Sequence, residues 1–138
     1  MPVFLTRTVG FRATHRYYKP EWSAEANRAR FGWTTEEPGH SHNYRCAVTV
    51  SGPLDPETGT IIDLPLLDRL LAELVVARFD GKHINLDVAE FAYGRLLPTC
   101  EALAQHFYGR IAPRLPAGVA LQRVRVSEDA TLAAEYGG

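Results

Sequence analysis

From Val3 the odd positions run Val3, Leu5, Arg7, Val9, Phe11, Ala13 and His15, while the even positions Thr6, Thr8, Gly10, Arg12 and Thr14 are small or polar. This period of two predicts a half-buried strand whose apolar face ends in a histidine. A second alternation puts His42, Tyr44, Cys46, Val48 and Val50 on one face and Asn43, Arg45, Ala47, Thr49 and Ser51 on the other. Here a histidine opens the apolar face. Between the two, the charged, alanine-containing stretch Lys19 to Arg30 predicts a partly helical excursion, and Phe31 to Gly39, with two glycines and a proline, predicts a loop.

The run from Gly52 to Gly59 is turn chemistry, leading through a short strand at Thr60-Ile61-Ile62 into a helix capped by Asp63. Pro65 falls in its first turn, and Leu67, Leu70, Leu71 and Leu74 form its apolar stripe. Asp80 to Tyr93 hold no sustained period and predict a long, partly ordered connection of the kind that carries function. Thr99 then caps a second helix with Leu103, Phe107 and Ile111 inward, and strands at Val119 to Ser127 and Thr131 to Tyr136 finish the chain. The order predicts an α+β fold with two helices packed on one face of a four-stranded antiparallel sheet.

A length of 138 residues fits one domain spanning residues 1–138, with a core large enough to need no cross-links. The formal net charge of -1, without a lysine- or arginine-rich run, removes the electrostatic footprint of a nucleic-acid binder. The longest apolar stretch, Leu64 to Phe79, is interrupted by Asp68, Arg69, Glu73 and Arg78, so no membrane span is expected. With no signal-peptide pattern at the start, a cytoplasmic location is the expectation. Cys46 and Cys100 lack C-x-x-C spacing and read as small buried side chains rather than a disulfide.

The chemistry concentrates in the histidines. His40 and His42 are two apart, which on a strand points both imidazoles to one face. Such a pair is either two solvated rings or part of a metal site, and catalytic zinc asks for a third protein ligand. His15 is the natural third, because antiparallel pairing of the two strands would bring all three to one edge of the core. Glu36 and Glu37 in the preceding loop are either solvated charges or bases within reach of a metal-bound substrate. Glu128, beside a turn, either sits in solvent or accepts paired N–H donors of a ligand. His83 reads as structural or functional alike, and His106 reads as a surface residue.

Several segments together resemble the 6-pyruvoyl-tetrahydropterin synthase and 6-carboxy-tetrahydropterin synthase family. Phe11-Arg12-Ala13-Thr14-His15 resembles its F-x-A-x-H strand, and His40-Ser41-His42-Asn43-Tyr44 its H-G-H-N-Y strand, with Ser41 in place of glycine. Asp80-Gly81-Lys82-His83-Ile84-Asn85-Leu86-Asp87-Val88 is similar to its D-H-K-x-L-N-L-D-V loop. Pro98-Thr99-Cys100-Glu101 resembles P-T-x-E, and Val124-Arg125-Val126-Ser127-Glu128 the final V-x-V-x-E. These pieces span nearly the whole chain in the right order, a far more specific signal than any one alone. The resemblance implies the tunnelling fold, in which sheets of several subunits join into an oligomeric barrel, commonly as a homo-hexamer with sites between subunits. It implies Zn2+ on His15, His40 and His42, and a pterin held by Glu128 with support from Thr99 and Glu101. The implied substrate is 7,8-dihydroneopterin triphosphate.

Two departures mark this chain. The family's catalytic cysteine, six or four residues before the first H of H-x-H, falls on Thr34 or Glu36, and the histidine of its Asp-His pair falls on Gly81 beside a retained Asp80. One branch instead uses a glutamate in the pattern E-x-x-H-x-H, which Glu37-Pro38-Gly39-His40-Ser41-His42 fits. That branch cleaves the side chain to 6-hydroxymethyl-dihydropterin for folate synthesis, whereas cysteine enzymes give 6-pyruvoyl-tetrahydropterin, or 6-carboxy-tetrahydropterin on the way to queuosine. The resemblance therefore implies a lyase with Glu37 or Glu36 as base and Asp80 assisting. The alternative is a non-catalytic zinc- and pterin-binding paralogue.

Overall fold

The computed structural model describes residues 2–137. In chain order the elements are β1 (Val3–His15), α1 (Ala24–Phe31), β2 (His40–Gly52), α2 (Leu64–Leu71), α3 (Ala77–Phe79), β3 (Lys82–His83), α4 (Ile84–Asp87), α5 (Cys100–Ile111), β4 (Ala120–Ser127) and β5 (Ala133–Gly137). The sheet runs in the order β3-β1-β2-β4-β5 and is open, with β3 and β5 at its edges. Strands β1, β2, β4 and β5 make the expected antiparallel pairs.

The two alternating patterns become one buried face. Phe11 and Ala13 of β1, Tyr44, Cys46, Val48 and Val50 of β2, and Val124 and Val126 of β4 all pack in a single cluster with Leu67 and Leu71 of α2 and Leu103, Phe107 and Ile111 of α5. The ring of Phe11 stacks on Tyr44 with centroids 4.9 Å apart, next to the strand ends that carry the histidines. The opposite face keeps Arg12, Asn43 and Arg45 exposed. Apolar burial of this kind, at roughly 25 cal/mol per Å², is what holds helices and sheet together.

Helix starts follow the capping residues. Ser23 Oγ accepts from the Ala26 N–H at 3.0 Å and Thr99 Oγ1 from the Ala102 N–H at 3.1 Å. Asp63 sits at the N-cap of α2 but makes no side-chain cap bond; Pro65 in the first turn fixes the entry instead. Helix α2 continues through a π-turn at Ala72–Val76 into α3.

Four expectations are corrected. The sheet has five strands rather than four, because Asp80 to His83 dock on the free edge of β1, with β3 parallel to it. The Gly81 N–H donates to Arg12 O at 2.7 Å, and Asp80 Oδ1 accepts from the Arg12 N–H at 2.9 Å. The connection Asp80 to Tyr93 is accordingly built of short elements, pinned by buried Ile84, Val88 and Phe91. Thr60-Ile61-Ile62 is not a strand: Thr60 O is taken by the Asp55 N–H at 2.9 Å inside a tight turn, and Ile62 plugs into the core. His106 is not a surface residue. One turn beyond Leu103, it lies between Phe79 and Phe91, at centroid distances of 5.9 and 5.2 Å, and burial lowers its pKa.

Among the described residues no helix is long and apolar enough to cross a membrane. Buried Asn85 ties the segment after β3 to the end of β1, its Oδ1 accepting from the Arg16 N–H at 2.8 Å and its Nδ2 donating to Arg16 O at 3.0 Å. Asn85→Ala leaves both backbone groups without a partner and is expected to cost about 1–3 kcal/mol. A denaturant midpoint equal to that of the parent protein would show that the tie is dispensable.

Candidate metal centre

In the β1–β2 register, His15 lies directly opposite His40, and Ala13 opposite His42. All three rings point to the helix-covered face. Their centroids lie 4.5 Å (His15–His40), 5.0 Å (His15–His42) and 4.9 Å (His40–His42) apart, with planes crossed at 67 to 89°. Glu128, one residue past β4, joins them, and one donor atom from each of the four residues falls within 4.8 Å of the others.

The protonation state of His15 follows from its neighbours. Its Nδ1 is 2.8 Å from Pro98 O and 2.9 Å from Tyr44 Oη. A carbonyl only accepts, so Nδ1 carries the proton and Nε2 presents a bare lone pair. That lone pair lies 3.0 Å from His40 Nε2. Burial, more than its neighbours, pushes the His15 pKa down to about 3, and burial followed by the nearby His42 lowers that of His40. The contact is a hydrogen bond when His40 carries its proton on Nε2, and a pair of free lone pairs turned to a common point when it carries it on Nδ1.

His42 Nε2 adds a third ring nitrogen, and this one is unsatisfied. It is 2.6 Å from Glu128 Oε2, yet no aligned hydrogen bond forms and the nitrogen is buried without a hydrogen-bonding partner. Three converging ring nitrogens, one of them buried without a partner, beside a carboxylate, fit a divalent cation. Tetrahedral zinc, with bonds of about 2.0–2.1 Å, accepts nitrogens at about the His15–His40 spacing. The Pro98 carbonyl supplies the outer hydrogen bond that such a histidine ligand normally makes.

Other predicted site residues lie elsewhere. Glu37 is largely exposed with Oε1 3.8 Å from Arg16 Nη2, and Glu36 pairs with Arg28 at 3.5 Å. Asp80 lines a groove with Arg12, Asn43 and Arg45, on the helix-free face of the sheet. Thr99 spends its hydroxyl on the α5 cap, and Glu101 is exposed in the first turn of that helix. The structure brings together the three histidines and Glu128, but not Glu36, Glu37 or Asp80.

Sequence reasoning missed Tyr44, Tyr17 and Trp33 as walls of the site. Tyr44 shares the face of His40 and His42 at the same spacing of two, a signal present in the pattern. Tyr17 packs 4.8 Å from His15, and Trp33, 64% exposed, lies 4.6 Å from His40. Cys100 also reaches the site, with Sγ 3.6 Å from Glu128 Oε1. Burial and then the charge of Glu128 push its thiol up to about 12, so it stays protonated and is a poor base. Cys46 lies in the core, its thiol pushed up to about 12 by burial.

Known proteins resemble this chain over most of its length. A family model described as 6-pyruvoyl tetrahydropterin synthase matches residues 4–138. The 6-pyruvoyl tetrahydrobiopterin synthase of Homo sapiens is 36% identical over 124 residues, covering 90% of this chain and 83% of that protein. Its counterpart in Drosophila melanogaster is 34% identical, covering 91% and 73%. The solved 6-pyruvoyl tetrahydropterin synthase of Caenorhabditis elegans superimposes with a TM-score of 0.90 at 26% identity, over 100% of this chain and 96% of that one.

Gly39, next to His40, has φ +116°, and a Cβ there would stand 2.6 Å from His15 O. Gly39→Ala must push β1 and the turn apart, and zinc affinity is expected to fall at least about tenfold, the scale of outer-shell changes. Competition with a chromophoric chelator reads this directly. For the metal-free protein, the unfolded chain takes up a proton at His15 near 6.5 and the folded chain only near 3. Stability should therefore rise with pH across that window and be lost as pH falls through it, and His15→Gln should flatten the dependence in denaturation curves.

Proposed function

The chain belongs to the 6-pyruvoyl tetrahydropterin synthase family, and from that membership and the site geometry we propose that it is a zinc-dependent lyase acting on 7,8-dihydroneopterin triphosphate. The observation that carries the reading is the convergence of buried His15 and half-buried His40 and His42, with one ring nitrogen of each turned to a common point. These three residues would hold the zinc, which as a Lewis acid acidifies hydroxyl and C–H groups of a substrate side chain. The nearest carboxylate, Glu128, is 7% exposed and turns toward the same point. It accepts the paired N–H donors of the pterin's guanidine-like edge, releasing His42 as it does so. Thr99 at the α5 cap and Glu101 in the first turn of that helix would support the ring from the chain beside Glu128.

Proton transfer falls to the Glu36-Glu37 turn. Neither Thr34, whose hydroxyl is committed to Phe31 O at 2.6 Å, nor the protonated Cys100 thiol supplies a base at neutral pH. Glu37, next to the Arg16 guanidinium, is the better base, with Glu36 as second choice. A glutamate base fits the branch that cleaves the side chain to 6-hydroxymethyl-dihydropterin, and product identification decides between that outcome and a 6-pyruvoyl or 6-carboxy tetrahydropterin. Asp80 faces away from the histidines of its own chain, which supports a homo-oligomer, a hexamer on the family's pattern, in which Asp80 assists at a neighbour's site.

Two observations favour a second reading: Glu37 is 81% exposed, and Gly81 offers no side chain to partner Asp80. On that reading the chain binds zinc and pterin without turnover. Incubation of zinc-loaded protein with 7,8-dihydroneopterin triphosphate, followed by product identification, separates the two. Glu37→Gln is expected to lower turnover by about a hundredfold or more. Full turnover in the Glu36→Gln, Glu37→Gln double variant would remove both glutamates as the base, and tight pterin binding without product would establish the second reading.

A further inference from the structure

Two side chains from outside the Glu36-Glu37 turn grip its backbone on either side. Arg16 Nε–H donates to Thr35 O at 2.6 Å, and His83 Nε2–H donates to Pro38 O at 2.6 Å. Because a carbonyl only accepts, Nε2 of His83 carries the proton, and Nδ1 of the neutral ring is a bare acceptor. That Nδ1 is buried with no partner. An unpaired buried acceptor is unfavourable, and an apolar side chain at this position would avoid it, so packing alone does not account for histidine here. The bond from Nε2 does.

His83 is firmly seated. It pairs with Thr14 in the parallel β1–β3 ladder, and its N–H donates to Asp87 Oδ2 at 2.8 Å. Two residues on, Asn85 holds the N–H and carbonyl of Arg16, the other clamp. Immediately after Pro38, Gly39 runs so close to His15 O that a Cβ would lie 2.6 Å away. A displaced Pro38 therefore moves both Glu37 before it and His40 after it.

We propose that His83 is a positioning residue: by holding the Pro38 carbonyl it sets the placement of the Glu37 carboxylate relative to the His40 ring. Its catalytic consequence rests on the reading of Glu37 as base; its effects on turn order and metal affinity do not. The test compares the parent protein with His83→Ala, His83→Asn, which is too short to reach Pro38 O, and His83→Gln, whose amide N–H reaches about as far as Nε2–H. Three readouts are taken: amide exchange at Gly39 and His40, zinc affinity by chelator competition, and steady-state turnover of 7,8-dihydroneopterin triphosphate.

Loss of the clamp should speed exchange at both amides and weaken zinc binding about tenfold, the scale of outer-shell effects. It should also lower kcat up to about a hundredfold with little change in KM, as expected for a misplaced catalytic group. His83→Gln should restore each readout close to the parent value. Parent-like exchange and zinc affinity in both loss variants would overturn the proposal, and so would deficits that His83→Gln fails to repair. If the parent protein makes no product, the lyase reading fails, while exchange and zinc affinity still decide the clamp.

Discussion

Antiparallel pairing of β1 with β2 sets His15 opposite His40 and Ala13 opposite His42. Since side chains alternate across a sheet, a slip of one residue would turn rings away from one another. The register is held from behind by the apolar partners of the same face, above all Phe11 stacked on Tyr44 and covered by Phe79 and Phe107. Packing of an ordinary core thus fixes the distances of an unusual polar cluster. The ring cluster in turn lies at the end of that core, with His15 fully buried and His40 and His42 partly open.

Burial also decides the electrostatics. A neutral imidazole with its Nδ1 proton turned to Pro98 O is what a metal requires, and desolvation of His15 keeps it neutral well into acid. The same short segment that supplies this carbonyl goes on to Thr99, which caps α5, and Cys100, whose Sγ touches Glu128. One helix start therefore contacts both a histidine of the cluster and the carboxylate beside it. Displacement of α5 would be felt at both ends of the site.

The segment after α3 has a comparable role on the other flank. Asp80, Gly81, His83 and Asn85 bond in succession to Arg12, the Pro38 carbonyl and Arg16. What a chain without sustained periodicity does here is bridge the end of β1 to the turn before β2. Its short elements are fastened by backbone hydrogen bonds and by three buried apolar anchors, Ile84, Val88 and Phe91.

The alternations through Val3 to His15 and His42 to Val50, the stripe on α2 and the Thr99 cap were legible because each depends on neighbours within a few residues, where period and capping chemistry act. The placement of His15, His40 and His42 on apolar faces was legible for the same reason. Other features required partners distant in the chain: β3 docking on β1, the burial of His106 between Phe79 and Phe91, and Glu128 meeting His42. So did the separation of Asp80 from the histidines, since it depends on which face of the sheet the connection crosses. Local periodicity determines which way a side chain points along its own element. Only the packing of one element on another decides what it points at.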